Sequence, residues 1–214
     1  MELLKSDNSR PVTILLVRHG ETIWNHRGLY QGHGDPALSK VGIAQIRAAA
    51  AQLRRQNAQI ILTSPLLRAR QSAAILAEEL AIPASEDRRL AEIRYGQWEG
   101  LSQPEIKMRW PALLRLWKTA PDEVVFPEGG SLTEVQDAVR PFLADAERAT
   151  KNIIAVTHQG TIRVAVLTAE CRPLAEFRQV RVAPGSITTL THCAGHWILG
   201  NVHGLPLPGA SPPV

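Results

Sequence analysis

Two histidines, His19 and His158, and two arginines, Arg18 and Arg68, stand directly after short apolar runs in this chain. One run closes in Arg18-His19-Gly20-Glu21-Thr22. A second closes in Thr63-Ser64-Pro65, with Arg68 one turn further on, and a third in Thr157-His158-Gln159-Gly160. Guanidinium offers a fork of donors matched to phosphate oxygens. Neutral imidazole can attack phosphorus and hold a covalent intermediate, which splits one hard step into two. Such an imidazole needs one ring nitrogen free, while the other donates to a fixed acceptor, often a backbone carbonyl. By residue type alone either His19 or His158 could attack, with the other donating to the phosphoryl oxygens.

These side chains do chemistry only if secondary structure carries them to one place. Residues 12–17, 60–62 and 153–156 are rich in β-branched residues and short enough to be strands buried on both faces, and residues 187–190 look similar. Between them, residues 39–56 open on a possible N-cap, Ser39, and carry Ile43, Ile46, Ala50 and Leu53 at helical spacing. Ser64-Pro65 puts an N-cap before a proline at the first helical position, which predicts a helix to about residue 80. Residues 131–150 read as another helix. Strands alternating with helices predict an α/β three-layer sandwich, a mostly parallel central sheet flanked by helices. Ligands of such sheets bind beyond the carboxyl ends of the strands, which is where the arginines and histidines fall. Ser64-Pro65 and Gly160-Thr161 also read as helix N-termini that would aim unsatisfied N–H groups at the same spot.

The bulk composition agrees with a globular domain. The chain has 214 residues, 44% hydrophobic and 21% charged, and predicts a single catalytic domain over residues 1–204 with a Pro-rich tail at 205–214. Residues 93–130 break the strand–helix alternation with three tryptophans and four prolines, and predict a helical insertion forming a cap. Two cysteines are too few for a disulfide framework. With no apolar stretch of membrane-spanning length, the chain reads as cytoplasmic, without a membrane partner. A net charge of +4 suits an anionic ligand. The basic residues are dispersed, so no nucleic-acid partner is expected. His192 and His196 are four apart, but their surroundings read as two strands with a turn at Ala194-Gly195, where that spacing has no metal-ligand logic. No metal site is expected.

Four ordered blocks carry a resemblance. Leu16-Val-Arg-His-Gly-Glu-Thr-Ile-Trp-Asn25, with Gln31-Gly32 and Asp35 following, resembles the opening signature of the histidine phosphatase superfamily, in its phosphoglycerate-mutase-like branch. Ser64-Pro-Leu-Leu-Arg68-Ala-Arg-Gln-Ser-Ala73, Glu92-Ile-Arg-Tyr-Gly96-Gln-Trp-Glu-Gly100 and Val156-Thr-His158-Gln-Gly-Thr-Ile-Arg163 resemble the second, third and fourth blocks. The resemblance implies that His19 is the nucleophile, that Arg18, Arg68 and His158 clamp the phosphoryl group, and that Glu92 is the general acid and base. Burial or the approach of substrate would help Glu92 keep its proton for the first step. No cofactor or metal is implied, since positioning and charge suffice for phosphoryl transfer.

Asn25 would assist the clamp; its plainer role is a turn residue. Thr22, Gln31, Gly32, Gln159 and Arg70 are further substrate-binding candidates, with a loop turn as the alternative for Gln31 and Gly32 and a salt bridge for Arg70. The interval from Glu92 to His158 is shorter than in the bisphosphoglycerate-dependent mutases and shows no Arg-Arg pair. That favours a cofactor-independent phosphatase of a small phosphate monoester, such as a sugar phosphate, a phosphoglycerate or α-ribazole phosphate. The alternatives are a mutase of the same fold and a catalytically silent binding protein. Two positions depart from the family pattern: the turn reads Pro127-Glu128-Gly129-Gly130-Ser131 where relatives often have Pro-Gly-Glu-Ser, and Gln159 stands where many have glycine. The oligomeric state is open, a dimer included.

Overall fold

The computed structural model describes residues 11–203, so the Pro-rich tail lies outside the described residues. Six strands form one sheet: β1 (Val12–Arg18), β2 (Ala58–Thr63), β3 (Ala84–Glu86), β4 (Asn152–Thr157), β5 (Ile187–Cys193) and β6 (His196–His203). Their order is β3-β2-β4-β1-β5-β6. The pairs β1/β4, β2/β4 and β2/β3 are parallel, and β1/β5 and β5/β6 are antiparallel. The run at 187–190 is thus a strand of opposite direction, part of a hairpin. Its turn falls at Ala194 (φ 52°) and Gly195 (φ 83°), the two positive φ values that match a right-handed twist.

The two central strands show why the sheet needs helices on both sides. Ile14 and Leu16 of β1 and Ile153 and Ala155 of β4 face one hydrophobic core. Their neighbours Leu15, Val17, Ile154 and Val156 face another. Side chains alternate along a strand, so a continuous apolar run fills both faces. The second core is closed by α2 (Lys40–Leu53) and α3 (Leu67–Leu80), through Ile46, Ala50, Leu53, Ala69, Ala73 and Leu76. The first is closed by α6 (Leu132–Glu147) and α7 (Gln159–Ala169). A short helix, α1 (Ile23–His26), follows β1.

Residues 93–130 are largely helical, with α4 (Gln103–Arg109), α5 (Pro111–Thr119) and 3-10 turns at Gly96–Trp98 and Pro121–Glu123. Their aromatic side chains pack edge to face: Tyr95 against Phe126 at 4.9 Å between centroids and Trp98 against Phe126 at 5.1 Å. Tyr30 joins through Tyr95 and Trp98, which ties the segment to the loop after α1. Offset aromatic pairs of this kind add to the area they bury.

One helix boundary differs from the sequence expectation. α3 starts at Leu67, not at Pro65, and its N-cap Leu66 is extended (φ −74°, ψ 140°) with no side-chain cap of its own. Ser64 is committed elsewhere: its N–H donates to Val156 O at 2.9 Å and its hydroxyl meets His158 at 2.7 Å. The cap comes instead from Asp35, whose Oδ1 accepts the Leu67 N–H at 2.6 Å. A carboxylate there also meets the positive end of the helix dipole. No helix among the described residues is long and apolar enough to cross a membrane.

Candidate active site

The parallel pairing of β1, β4 and β2 aligns their carboxyl ends, so Arg18 sits opposite Thr157, and Thr63 opposite Val156. His19 and His158 follow directly, and their rings come within 5.1 Å, tilted by 57°. Both histidines, Arg18 and Arg68 are buried.

Two hydrogen bonds define the proton on His19. Nδ1 lies 2.7 Å from Gly20 O; a carbonyl only accepts, so Nδ1 carries the hydrogen. Arg68 Nε donates to Nε2 at 3.2 Å, and a guanidinium only donates, so Nε2 carries the lone pair. Burial pushes the His19 pKa well below its ordinary value, and Arg68 and then Arg18 push it further down. The ring is therefore a neutral imidazole whose one in-plane lone pair, on Nε2, faces Arg68.

His158 is held differently. Its Nε2 lies 2.7 Å from Ser64 Oγ, and its Nδ1 is buried with no partner among the described residues. Its pKa is also pushed well down, by burial first, then by Arg68, His19, His33 and Arg18.

The arginines are oriented by backbone. Arg68 donates from Nη1 to Gly34 O at 2.8 Å and from Nη2 to Gly32 O at 2.7 Å. Ser72 Oγ donates to Arg68 O and accepts from Gly20 N–H, which locks the start of α3 to the loop behind His19. Arg18 donates from Nη1 to Val182 O at 2.9 Å, while its Nε is buried without a partner among the described residues. Burial lowers the Arg18 pKa to about 10, opposed chiefly by Glu92, so it remains a cation at neutral pH.

Glu92 reaches the cluster because the chain before it is pinned. Thr157 Oγ1 donates to Leu90 O at 2.6 Å and Thr161 Oγ1 donates to Ala91 O at 2.7 Å. The carboxylate then accepts the Gly160 N–H at 3.2 Å and the Ile93 N–H at 3.0 Å. A helix N-terminus foreseen as an anion site thus already holds one carboxylate oxygen. His33 donates from Nε2 to the Glu92 carbonyl at 2.9 Å.

The remaining candidates divide. Thr22 and Asn25 form a capping box on α1. Thr22 N–H and Oγ1 both donate to Asn25 Oδ1, at 3.0 and 3.2 Å, so any hydrogen bond from Asn25 to an anion would come from its NH2. Gln31 is buried and its Oε1 has no donor among the described residues. Gly32 acts through its carbonyl and a positive φ of 49°. Gln159 donates to Val182 O at 3.2 Å, beside Arg18. Arg70 is not brought to the cluster: it is exposed and pairs with Glu86 at 3.6 Å. Sequence reasoning missed the structural roles of Ser72, Asp35, Ser64 and Glu99, whose Oε1 accepts from the His33 and Tyr95 N–H groups. Asp35 and Glu99 lay inside the quoted blocks but carried no sign of a partner so distant in sequence.

An α/β sandwich that gathers two arginines and two imidazoles at the carboxyl ends of adjacent parallel strands defines a class of anion-handling proteins. The chain belongs to the histidine phosphatase superfamily, branch 1, whose family model matches residues 14–203. It is accordingly an enzyme of the group that acts on phosphate esters. Phosphoserine phosphatase 1 of Hydrogenobacter thermophilus is 34% identical over 154 residues, covering 71% of this chain and 73% of that protein. A 2,3-bisphosphoglycerate-dependent phosphoglycerate mutase of Methylobacterium radiotolerans is 31% identical over 80% of this chain and 85% of its own. Among solved structures, a mycobacterial glucosyl-3-phosphoglycerate phosphatase in complex with VO3 superposes with a TM-score of 0.81 at 27% identity, over 90% of this chain and 98% of that one.

Proposed function

We propose that this enzyme hydrolyses a small phosphate monoester through a phosphohistidine on His19. The observation that carries the reading is the fixed tautomer of His19: Nδ1–H is spent on Gly20 O and Nε2 offers its lone pair beside Arg68. In the first step that lone pair attacks phosphorus, the P–O bond to the leaving group breaks, and Glu92 gives its proton to the departing oxygen. In the second, water attacks phosphorus, Glu92 takes a proton from it, and the N–P bond breaks to release phosphate. Arg18, Arg68 and His158 hold the phosphoryl oxygens throughout. Charge on those oxygens grows and shifts during transfer, and fixed donors lower the barrier without reorganising. Residues 93–130 close over the site as a cap, with Glu92 at its root.

The relatives named above include both phosphatases and mutases, and the two activities differ in what accepts the phosphoryl group. The absence of an Arg-Arg pair between Glu92 and His158 supports water as the acceptor. Mixing the enzyme with 3-phosphoglycerate or p-nitrophenyl phosphate tests this, with free phosphate the expected product. Quenched reactions should contain an acid-labile, alkali-stable phosphoryl group that maps to His19 and is missing in His19→Ala. A label on another residue would sink the scheme, and 2-phosphoglycerate formed without phosphate release would assign a mutase.

A further inference from the structure

Ser64 is fully buried between the end of β2 and the start of α3 and takes no part in the scheme above. Its hydroxyl has two neighbours. Leu66 N–H donates to Oγ at 3.3 Å, and His158 Nε2 lies 2.7 Å away. The serine therefore already accepts one hydrogen bond from backbone, and its own proton needs an acceptor. Among the described residues the His158 nitrogen is the one acceptor within reach of it. Were His158 to donate from Nε2, the serine proton would be left buried and unpaired, at the full desolvation cost of a hydroxyl. With Ser64 donating, both bonds are satisfied and His158 keeps its hydrogen on Nδ1. That nitrogen is buried and unpartnered, on a ring 5.1 Å from the His19 ring.

We propose that Ser64 is a positioning residue that sets the tautomer of His158, so that Nδ1–H, and not a lone pair, faces the phosphoryl oxygens. The proposal deepens the reading of His158 as a phosphoryl clamp and rests on it. Its logic is electrostatic. An imidazole lone pair turned toward a phosphate oxygen repels it, whereas N–H donates to it. A neutral ring has one of each, so which nitrogen holds the hydrogen decides between a clamp and a repulsive wall. The backbone around His158 is equally committed: its carbonyl accepts from Ile162 N–H at the start of α7, which leaves the side chain as the adjustable part.

Loss of one phosphoryl donor costs about 10²- to 10³-fold in rate. An unfixed ring retains part of the productive tautomer, so Ser64→Ala should lower kcat by about 10- to 100-fold at pH 7.5 with a smaller change in KM. Burial and the neighbouring cations keep the folded His158 ring neutral, so low pH does not substitute for the serine, and only a restored hydroxyl should. The charged and titratable groups that face His158 (Arg18, Arg68, His19 and His33) are the same in both proteins, so the wild-type to variant ratio isolates the effect. Ser64→Thr, which retains the hydroxyl, should recover most of the rate.

Nitrogen-15 NMR of histidine-labelled wild type gives a direct reading that needs no variant. His158 should show a protonated Nδ1 and an accepting Nε2. A protonated Nε2 in wild type, or a Ser64→Thr variant no more active than Ser64→Ala, overturns the proposal. Failure to label His19 would instead remove the phosphohistidine scheme, and the NMR result would still decide where the His158 proton lies.

Discussion

The burial of His19 and His158 as neutral rings makes folding stability depend on pH in a way that can be calculated. Both pKa values are depressed in the folded protein, by burial first and by the arginines next. In the unfolded chain each ring titrates near 6.5. Between that value and the depressed one, the unfolded state binds more protons than the folded state, so stability falls as pH drops below about 6.5 and is unaffected above it. At pH 5.5 an unfolded histidine is about ten-elevenths protonated. The folded state then loses up to RT ln(1 + 10), roughly 1 kcal/mol per ring or 2–3 kcal/mol for the pair, relative to pH 8. Urea unfolding at pH 8.0 and 5.5, in buffers free of phosphate and sulfate, measures the loss in wild type and in the double variant His19→Asn, His158→Gln. Every other titration is common to the two proteins, so the variant should lose roughly 2–3 kcal/mol less than wild type, and each single variant should fall between the two. A double variant with the same pH dependence as wild type to within about 0.5 kcal/mol would mean that the rings take up protons as readily folded as unfolded. The neutral-nucleophile argument would then fail.

Other consequences are simpler to measure. Asp35→Ala removes the remote cap on α3; urea denaturation should report a loss of about 1 kcal/mol, and kcat should fall because Arg68 sits in the first turn of that helix. Glu128 is exposed with φ 54° and accepts a hydrogen bond from Gln97 Nε2 at 2.6 Å, so in a Gln97→Ala background, where that bond is already gone, Glu128→Gly should stabilise the protein by about 0.5–1 kcal/mol after glycine's extra unfolded-state entropy is counted; a measured destabilisation there would contradict the assigned turn. Gly96 has φ 56°, and a methyl there would overlap Pro127 O and Gly129 N. Gly96→Ala should therefore cost about 3 kcal/mol or more in the same denaturation assay. Orthovanadate or inorganic phosphate should raise the thermal midpoint where chloride of equal ionic strength does not, and this gain should vanish in Arg68→Gln.

How much of this was legible in the sequence depends on how far each interaction reaches along the chain. The strand cores were legible because residues 12–17 and 153–156 are apolar on both faces, and burial on both faces is a local property of composition. The placement of Arg18, His19 and His158 followed, since each directly succeeds such a run. Arg68 followed from its position just after another. The start of α3 was misplaced because Ser64-Pro65 is a sound local cap signal, overridden by a carboxylate 32 residues earlier and by a histidine 94 residues later. Thr22 and Asn25 show the converse: a capping box is a local motif, and it takes up the Thr22 hydroxyl and the Asn25 Oδ1 while leaving the Asn25 NH2 for an anion. Arg70 could face the cluster or the surface as far as periodicity goes, and a partner on β3, Glu86, takes it to the surface. The roles of the Gly32, Gly34 and Val182 carbonyls in aiming guanidiniums leave no side-chain signature, so no reading of residue types could have found them.

Those carbonyls also explain how the site tolerates its own charge. Arg18 and Arg68 are buried together, and the largest counter-charge on each is the single carboxylate of Glu92. Asp35 and Glu99 also act on Arg68 from further off, but the guanidinium's own hydrogen bonds go to carbonyls and to His19, so no carboxylate pairs with it directly, a costly state for a protein interior. Carbonyl oxygens from Gly32, Gly34 and Val182 supply partial charge and fixed direction without neutralising either guanidinium. A full carboxylate at any of these positions would stabilise the empty protein and compete with substrate for the same donors. Backbone dipoles hold the arginines in place and leave their net charge available to a phosphoryl dianion. Replacing either arginine with a neutral residue of similar length should accordingly reduce catalysis far more than it reduces stability, because the charge that burdens the fold is the charge that binds the phosphate.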